Sequence, residues 1–154
     1  MNAESASVFD EFVMEGKVSE LTAPEDRFGA YARTVVLAKD YLGALRLRVV
    51  MAKAVDEMMS TYDAVVAPTY RSVATPIGQP FRHPTERVTG DIVGAAGNGA
   101  GLPSISVPNG FTRGGLPTGI QFMGKAYDEN AVLSVACEYQ SLTDWHKHHP
   151  PPLV

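Results

Sequence analysis

Ser104 and Ser106 alternate in the stretch GLPSISVP, and Asp91 stands just ahead of the glycine-rich run IVGAAGNGAG. With the single Cys137 and the histidines of WHKHH, these are the side chains whose types and spacing could do chemistry. Alternate residues of a strand share a face, so the two serines can stand side by side. A serine nucleophile also needs a base within hydrogen-bond reach, and neither a base nor a GxSxG elbow is identifiable here. Gly94, Gly97, Gly99 and Gly101 do not give the GxGxxG spacing of a dinucleotide site, and a strand follows them where that site needs a helix. The expectation is a segment of small residues that runs close against another backbone.

His146, His148 and His149 could take up a divalent metal adventitiously, but no carboxylate follows at the spacing of a catalytic zinc site, so a solvated end is expected. No metal and no cofactor is expected. His83 reads as a surface residue and Cys137 as a buried, inert thiol in or near the apolar face of the last helix. Asp91 precedes a run whose polar side chain is Asn98, and a carboxylate among small apolar residues must find a donor, a cation or a ligand. It either caps a short turn through Ala95 and Ala96 or faces a ligand.

The elements that must position these residues follow from periodicity. Ala6, Phe9, Phe12 and Val13 share one face of a predicted helix over about Asn2 to Glu15, with Gly16 as its stop. A loop or broken helix reaches Arg33. Leu42, Leu45, Val49, Ala52, Val55 and Met59 then step by three or four along a predicted helix from about Ala38 to Thr61. The run from Ala64 to Ala67, closed by Pro68, reads as a buried strand. Residues Tyr70 to Thr89, with four prolines and glycines at Pro76, Gly78, Pro80 and Pro84, read as an irregular excursion. Ser104 to Val107 and Thr118 to Met123 read as strands joined by a long loop, NGFTRGGLP. Asp128 caps a closing helix with Val132, Val135, Ala136, Tyr139 and Leu142 on one face.

Length and composition bound the reading. A chain of 154 residues fits one domain or a large piece of one, and buries roughly 70% of its unfolded surface. With 45% hydrophobic and 19% charged residues it is globular rather than disordered. A formal charge of -4, with no basic run, argues against nucleic acid and anionic membrane as partners. One cysteine excludes an internal disulfide and favours a reducing, cytoplasmic setting. The N-terminus has acidic residues where a signal peptide has basic ones, and no window of ~18 apolar residues suggests a membrane span.

The pieces AESASVFDEFVMEGKVSEL, KDYLGALRLR, YDAVVAPT, DIVGAAGNGAGLPSISVPNGF and GLPTGIQFMGKAYDENAVLSVACEYQ occur in an order that resembles the C-terminal portion of amidase signature enzymes. The resemblance covers nearly the whole chain. It implies an α/β fold, the C-terminal part of the amidase signature fold, with a mixed β-sheet covered by helices. It also implies a single partial domain over residues 1–154 with a Pro/His-rich tail over 145–154. The implied activity is hydrolysis of the carbon-nitrogen bond of amides, with a small-molecule amide as substrate.

In that family the chemistry belongs to a serine, a second serine in a cis peptide and a lysine base, all in motifs that precede the matched region. The 154 residues contain no GGSSGGS-like signature, and Lys39, Lys53 and Lys125 have no serine pair resembling the family's. No catalytic residue is therefore assigned. Asp91 matches the acidic residue that often opens the motif before the asparagine and GLP, and by resemblance is a substrate-binding candidate. Gly97 and Gly99 depart from the family, which commonly has larger apolar residues on either side of the asparagine. The expected partner is a separate N-terminal amidase polypeptide, or a second copy. The alternative is a stand-alone, non-catalytic binding or interaction module built on the same scaffold.

Overall fold

The computed structural model describes residues 2–79 and 91–149, and its backbone falls into two compact units, Met1–Leu47 and Arg48–Val154. His83 and the last five residues of the tail lie outside the described residues.

In the first unit the expected opening helix is broken. Helix α1 spans Asn2–Val8 and helix α2 spans Asp10–Met14, and Phe9 stands between them outside helical geometry. A 3-10 turn at Lys17–Glu20 follows Gly16. The segment read as loop or broken helix then contains a regular helix α3, Pro24–Ala32. Pro24 hid it in the sequence, yet proline is tolerated in the first turn, where its missing N–H has no intrahelical partner. Arg33 Nη1 donates to Ser5 Oγ at 3.4 Å, joining the 3-10 turn Arg33–Val35 to α1. Among the described residues of this unit, Val13 and Val18 are buried.

Helix α4, Ala38–Met59, begins in the first unit and ends in the second. Its apolar stripe is covered only toward its end: Met59 is buried and Val55 partly so, whereas Leu42, Leu45 and Val49 are exposed by 50, 37 and 57%.

The second unit is organised on three antiparallel strands in the order β1 (Val65–Pro68), β3 (Pro117–Met123), β2 (Ser104–Phe111). Val66, Phe122 and Ile105 stand in one row across the sheet, and Ala67, Gln121 and Ser106 in the next, so the two rows face opposite sides. Helix α6, Glu129–Leu142, covers the first side. Its Val132 and Ala136 form the core with Val107 and Phe122, and Ile105, Ile120, Val135 and Tyr139 pack around them. Asp128 caps this helix as expected, accepting from the Ala131 amide at 3.3 Å.

Cys137 is exposed, contrary to the expectation of a buried thiol. It follows Ala136 by one residue, about 100° around the helix, and so leaves the covered stripe.

The hairpin loop is shorter than NGFTRGGLP, because β2 continues through a bulge between Pro108 and Phe111. The Thr118 hydroxyl shares its one proton between the Asn109 and Gly110 carbonyls, both at 3.2 Å, within the bulged stretch. Trp145, in a 3-10 turn at Trp145–Lys147, lies 3.5 Å from where a Cβ on Gly110 would stand. It meets Phe111 edge-on at 6.3 Å, and His148 packs on both rings. The start of the tail is therefore held on the hairpin rather than freely solvated, and Trp145 and His146 are half-buried.

Candidate functional site

The glycine-rich run is a helix, not a turn: α5 spans Ile92–Ala100 and contains Gly94, Gly97 and Gly99. Each glycine disfavours a helix by about 1 kcal/mol relative to alanine, so something outside the segment must hold it. Three contacts do. Asp91, in extended conformation, caps the start, with Oδ1 accepting from the Gly94 amide at 2.8 Å. The glycines take in two methionines: a Cβ on Gly97 would stand 2.4 Å from Met123 Sδ, and one on Gly99 2.2 Å from Met51 Cε. Arg48 Nε donates to the Gly99 carbonyl at 2.7 Å, and Gly101, left-handed at φ 77°, ends the helix with its amide bonded to the Gly97 carbonyl. Methionine side chains thus occupy the space that side chains at positions 97 and 99 would need.

This packing lays α5 on the side of the sheet opposite α6. That side carries Thr69 beyond the end of β1, Ser104 and Ser106 on β2, and Gly119, Gln121 and Met123 on β3. Gln121 is 6% exposed and is the buried polar side chain of the described residues. Its Nε2 donates to the Pro68 carbonyl at 3.2 Å and to the Asp91 carboxylate at 3.3 Å to Oδ1 and 3.2 Å to Oδ2. Asp91 is half-buried. A carboxylate has about four acceptor positions, so the cap and the Gln121 amide leave it able to accept from a further donor.

Of the two readings of Asp91, the structure shows the cap, on a helix longer than the turn anticipated. Ser104 and Ser106 do share a face and both are exposed, but the Ser106 hydroxyl is engaged by the Thr69 hydroxyl at 3.0 Å. Among the described residues no histidine or lysine hydrogen-bonds either serine. Among the described residues, too, no group of three His, Cys, Asp or Glu could hold a metal ion. His148 instead approaches Asp144 at 3.6 Å, while the half-buried His146 has an Nδ1 without a hydrogen-bond partner. No helix among the described residues is long and apolar enough to cross a membrane.

Sequence reasoning missed Gln121 and Thr69. The signal for Gln121 was present: one amide in the otherwise apolar TGIQFM strand must find partners once buried. Thr69 carried no such signal, because its role arises from a register that only pairing reveals.

Residues 3–133 match the family model described as Amidase. The A subunit of glutamyl-tRNA(Gln) amidotransferase from Methanosarcina acetivorans is 42% identical over 116 residues, covering 75% of this chain and 24% of that protein. The corresponding subunit from Dechloromonas aromatica is 41% identical over 110 residues, 71% of this chain and 22% of that protein. The chain therefore spans about a quarter of the length of these relatives. Among solved structures, the same subunit from Thermotoga maritima superposes with a TM-score of 0.60 at 26% identity, covering 90% of this chain and 27% of that one. A peptide amidase from Stenotrophomonas maltophilia shares the fold, with a TM-score of 0.63 at 24% identity over 97% of this chain and 29% of that one. The continuous family match, the relatives and the shared fold agree that the chain belongs to the amidase family and resembles its C-terminal part.

Proposed function

We propose that these residues form the C-terminal scaffold of an enzyme that hydrolyses the carbon-nitrogen bond of a small amide, in the cytoplasm. In this reading the catalytic serines and lysine come from a region carrying the family signature that lies outside these residues. Both compact units then belong to one amidase-like domain, which is supported by a family match that runs unbroken across their boundary at Leu47. The relatives named as a subunit of an amidotransferase support an assembly of more than one chain.

The observation that carries the reading is the Asp91 carboxylate. It is fixed from the helix by the Gly94 amide and from the sheet by Gln121, and it retains acceptor capacity at a half-buried position. Asp91 contacts a polar, hydrogen-bond-donating end of the substrate. Such a contact acts on ground and transition states alike, so Asp91→Asn in the assembled enzyme raises KM about tenfold and leaves kcat within about twofold. A fall in kcat with KM unchanged would overturn this role.

A further inference from the structure

Gln121 brings together three acceptors through one nitrogen: the Pro68 carbonyl at the end of β1 and the two oxygens of Asp91 at the start of α5. All three partners are acceptors, so only the NH2 side of the amide can face them. The side chain lies on the central strand, paired in register with Ala67 on one side and Ser106 on the other. It therefore ties the start of α5 to the sheet at a point fixed by two neighbouring strands. The Gly94 amide alone engages one carboxylate oxygen, Oδ1, and would leave Asp91 free to turn about its own side-chain bonds. The Gln121 amide meets both oxygens and removes that freedom.

We infer that Gln121 is a positioning residue that aims the Asp91 carboxylate, so that the acceptor left over by the cap points in one direction. Its consequence for substrate rests on the reading of Asp91 given above, whereas the aiming itself does not. A residue that only filled space would be replaced without loss by methionine, which has similar length and no donor. Gln121→Glu is more telling. Protonated, the introduced carboxyl still has one donor for Asp91. Ionised, it sets a second negative charge against the first, and burial and that charge together favour its protonated form over an unusually wide pH range.

Two measurements decide the matter. In the 154-residue chain, amide hydrogen exchange at Gly94 and Ala95 is compared with exchange at Val135 and Ala136 in α6, each variant normalised to the unmodified chain at every pH. Loss of a hydrogen bond to a charged group predicts about tenfold faster exchange at the start of α5 in Gln121→Met, with α6 unchanged. Gln121→Glu is predicted to match the unmodified chain at low pH and to lose protection at the start of α5 as pH rises. Unchanged exchange in Gln121→Met, or loss spread equally over α5 and α6 with no pH dependence in Gln121→Glu, would overturn the aiming role. In the assembled enzyme Gln121→Met is predicted to raise KM with kcat nearly unchanged. If exchange loosens as predicted while neither Gln121→Met nor Asp91→Asn moves KM, the aiming role stands and the substrate contact of Asp91 falls.

Discussion

The Thr69 hydroxyl donates to the Ser106 hydroxyl at 3.0 Å, reaching diagonally across the central strand where that strand has Gly119. A Cβ on Gly119 would stand 2.6 Å from Thr69 Oγ1 and 3.1 Å from its Cβ. Gly119→Ala must displace a β-branched residue with little rotamer freedom, and is predicted to cost about 1–3 kcal/mol in urea unfolding. Thr69→Ala in the same background removes the nearer atom and should restore at least about 0.5 kcal/mol as a coupling energy. Additive effects would show that the two residues do not compete for this space.

The two methionine contacts of α5 predict opposite outcomes for two similar substitutions. Met123 is buried at 2% exposure and a new methyl on Gly97 meets its sulfur, so Gly97→Ala is predicted to destabilise by about 1–3 kcal/mol. Met51 is half-buried and offers only its terminal methyl to Gly99, so it can swing aside. Gly99→Ala then keeps most of the roughly 1 kcal/mol of helix preference and is neutral or stabilising. Thermal or urea melts that rank the two variants the other way would contradict the packing described.

As a helix cap, Asp91 should tolerate loss of charge better than loss of its side chain. Asp91→Ala is predicted to cost about 0.5–2 kcal/mol, while Asp91→Asn keeps an oxygen for the Gly94 amide but turns its NH2 group toward the Gln121 amide, and so recovers only part of that loss. Equal losses in the two variants would mean that the cap is not what Asp91 contributes to stability.

How far the sequence could be read differs between the two helices on either side of the sheet. Helix α6 was legible because its buried residues, Val132 and Ala136, are spaced by one turn and follow a capping aspartate. Helix α5 was not, because three glycines in nine residues lower its propensity and give periodicity nothing large to mark. Its stability comes from Met51, Met123 and Arg48, which are remote in sequence and could not be linked to it without the fold. The strands were found at nearly their true positions, but the bulge that lengthens β2 is bridged by the Thr118 hydroxyl, again a contact between elements. At the site, Asp91 was identified by its isolation among small residues, and the alternative of a cap was legible as well. What aims its carboxylate lies thirty residues away in β3.

The apolar stripe of α4 gives a prediction about association. Leu42, Leu45 and Val49 form one face at helical spacing and stand open to solvent. Exposed apolar patches drive association, so replacing the three by glutamine should lower the apparent mass of the 154-residue chain in light scattering. Because these side chains are already exposed, the melt should change by no more than about 1 kcal/mol. A large loss of stability would show that the stripe is covered within the chain.

Co-expression with a polypeptide carrying the family signature asks whether these residues act as a scaffold for chemistry supplied from outside them. The chain alone is predicted to be oligomeric or marginally stable and to leave simple amides at the buffer rate, since among the described residues no base is paired with a serine. Together, the two polypeptides should give a monodisperse complex that hydrolyses amides. A repurified chain that is a compact monomer with a sharp cooperative melt, and whose own amide turnover vanishes in Ser104→Ala or Ser106→Ala, would contradict the account.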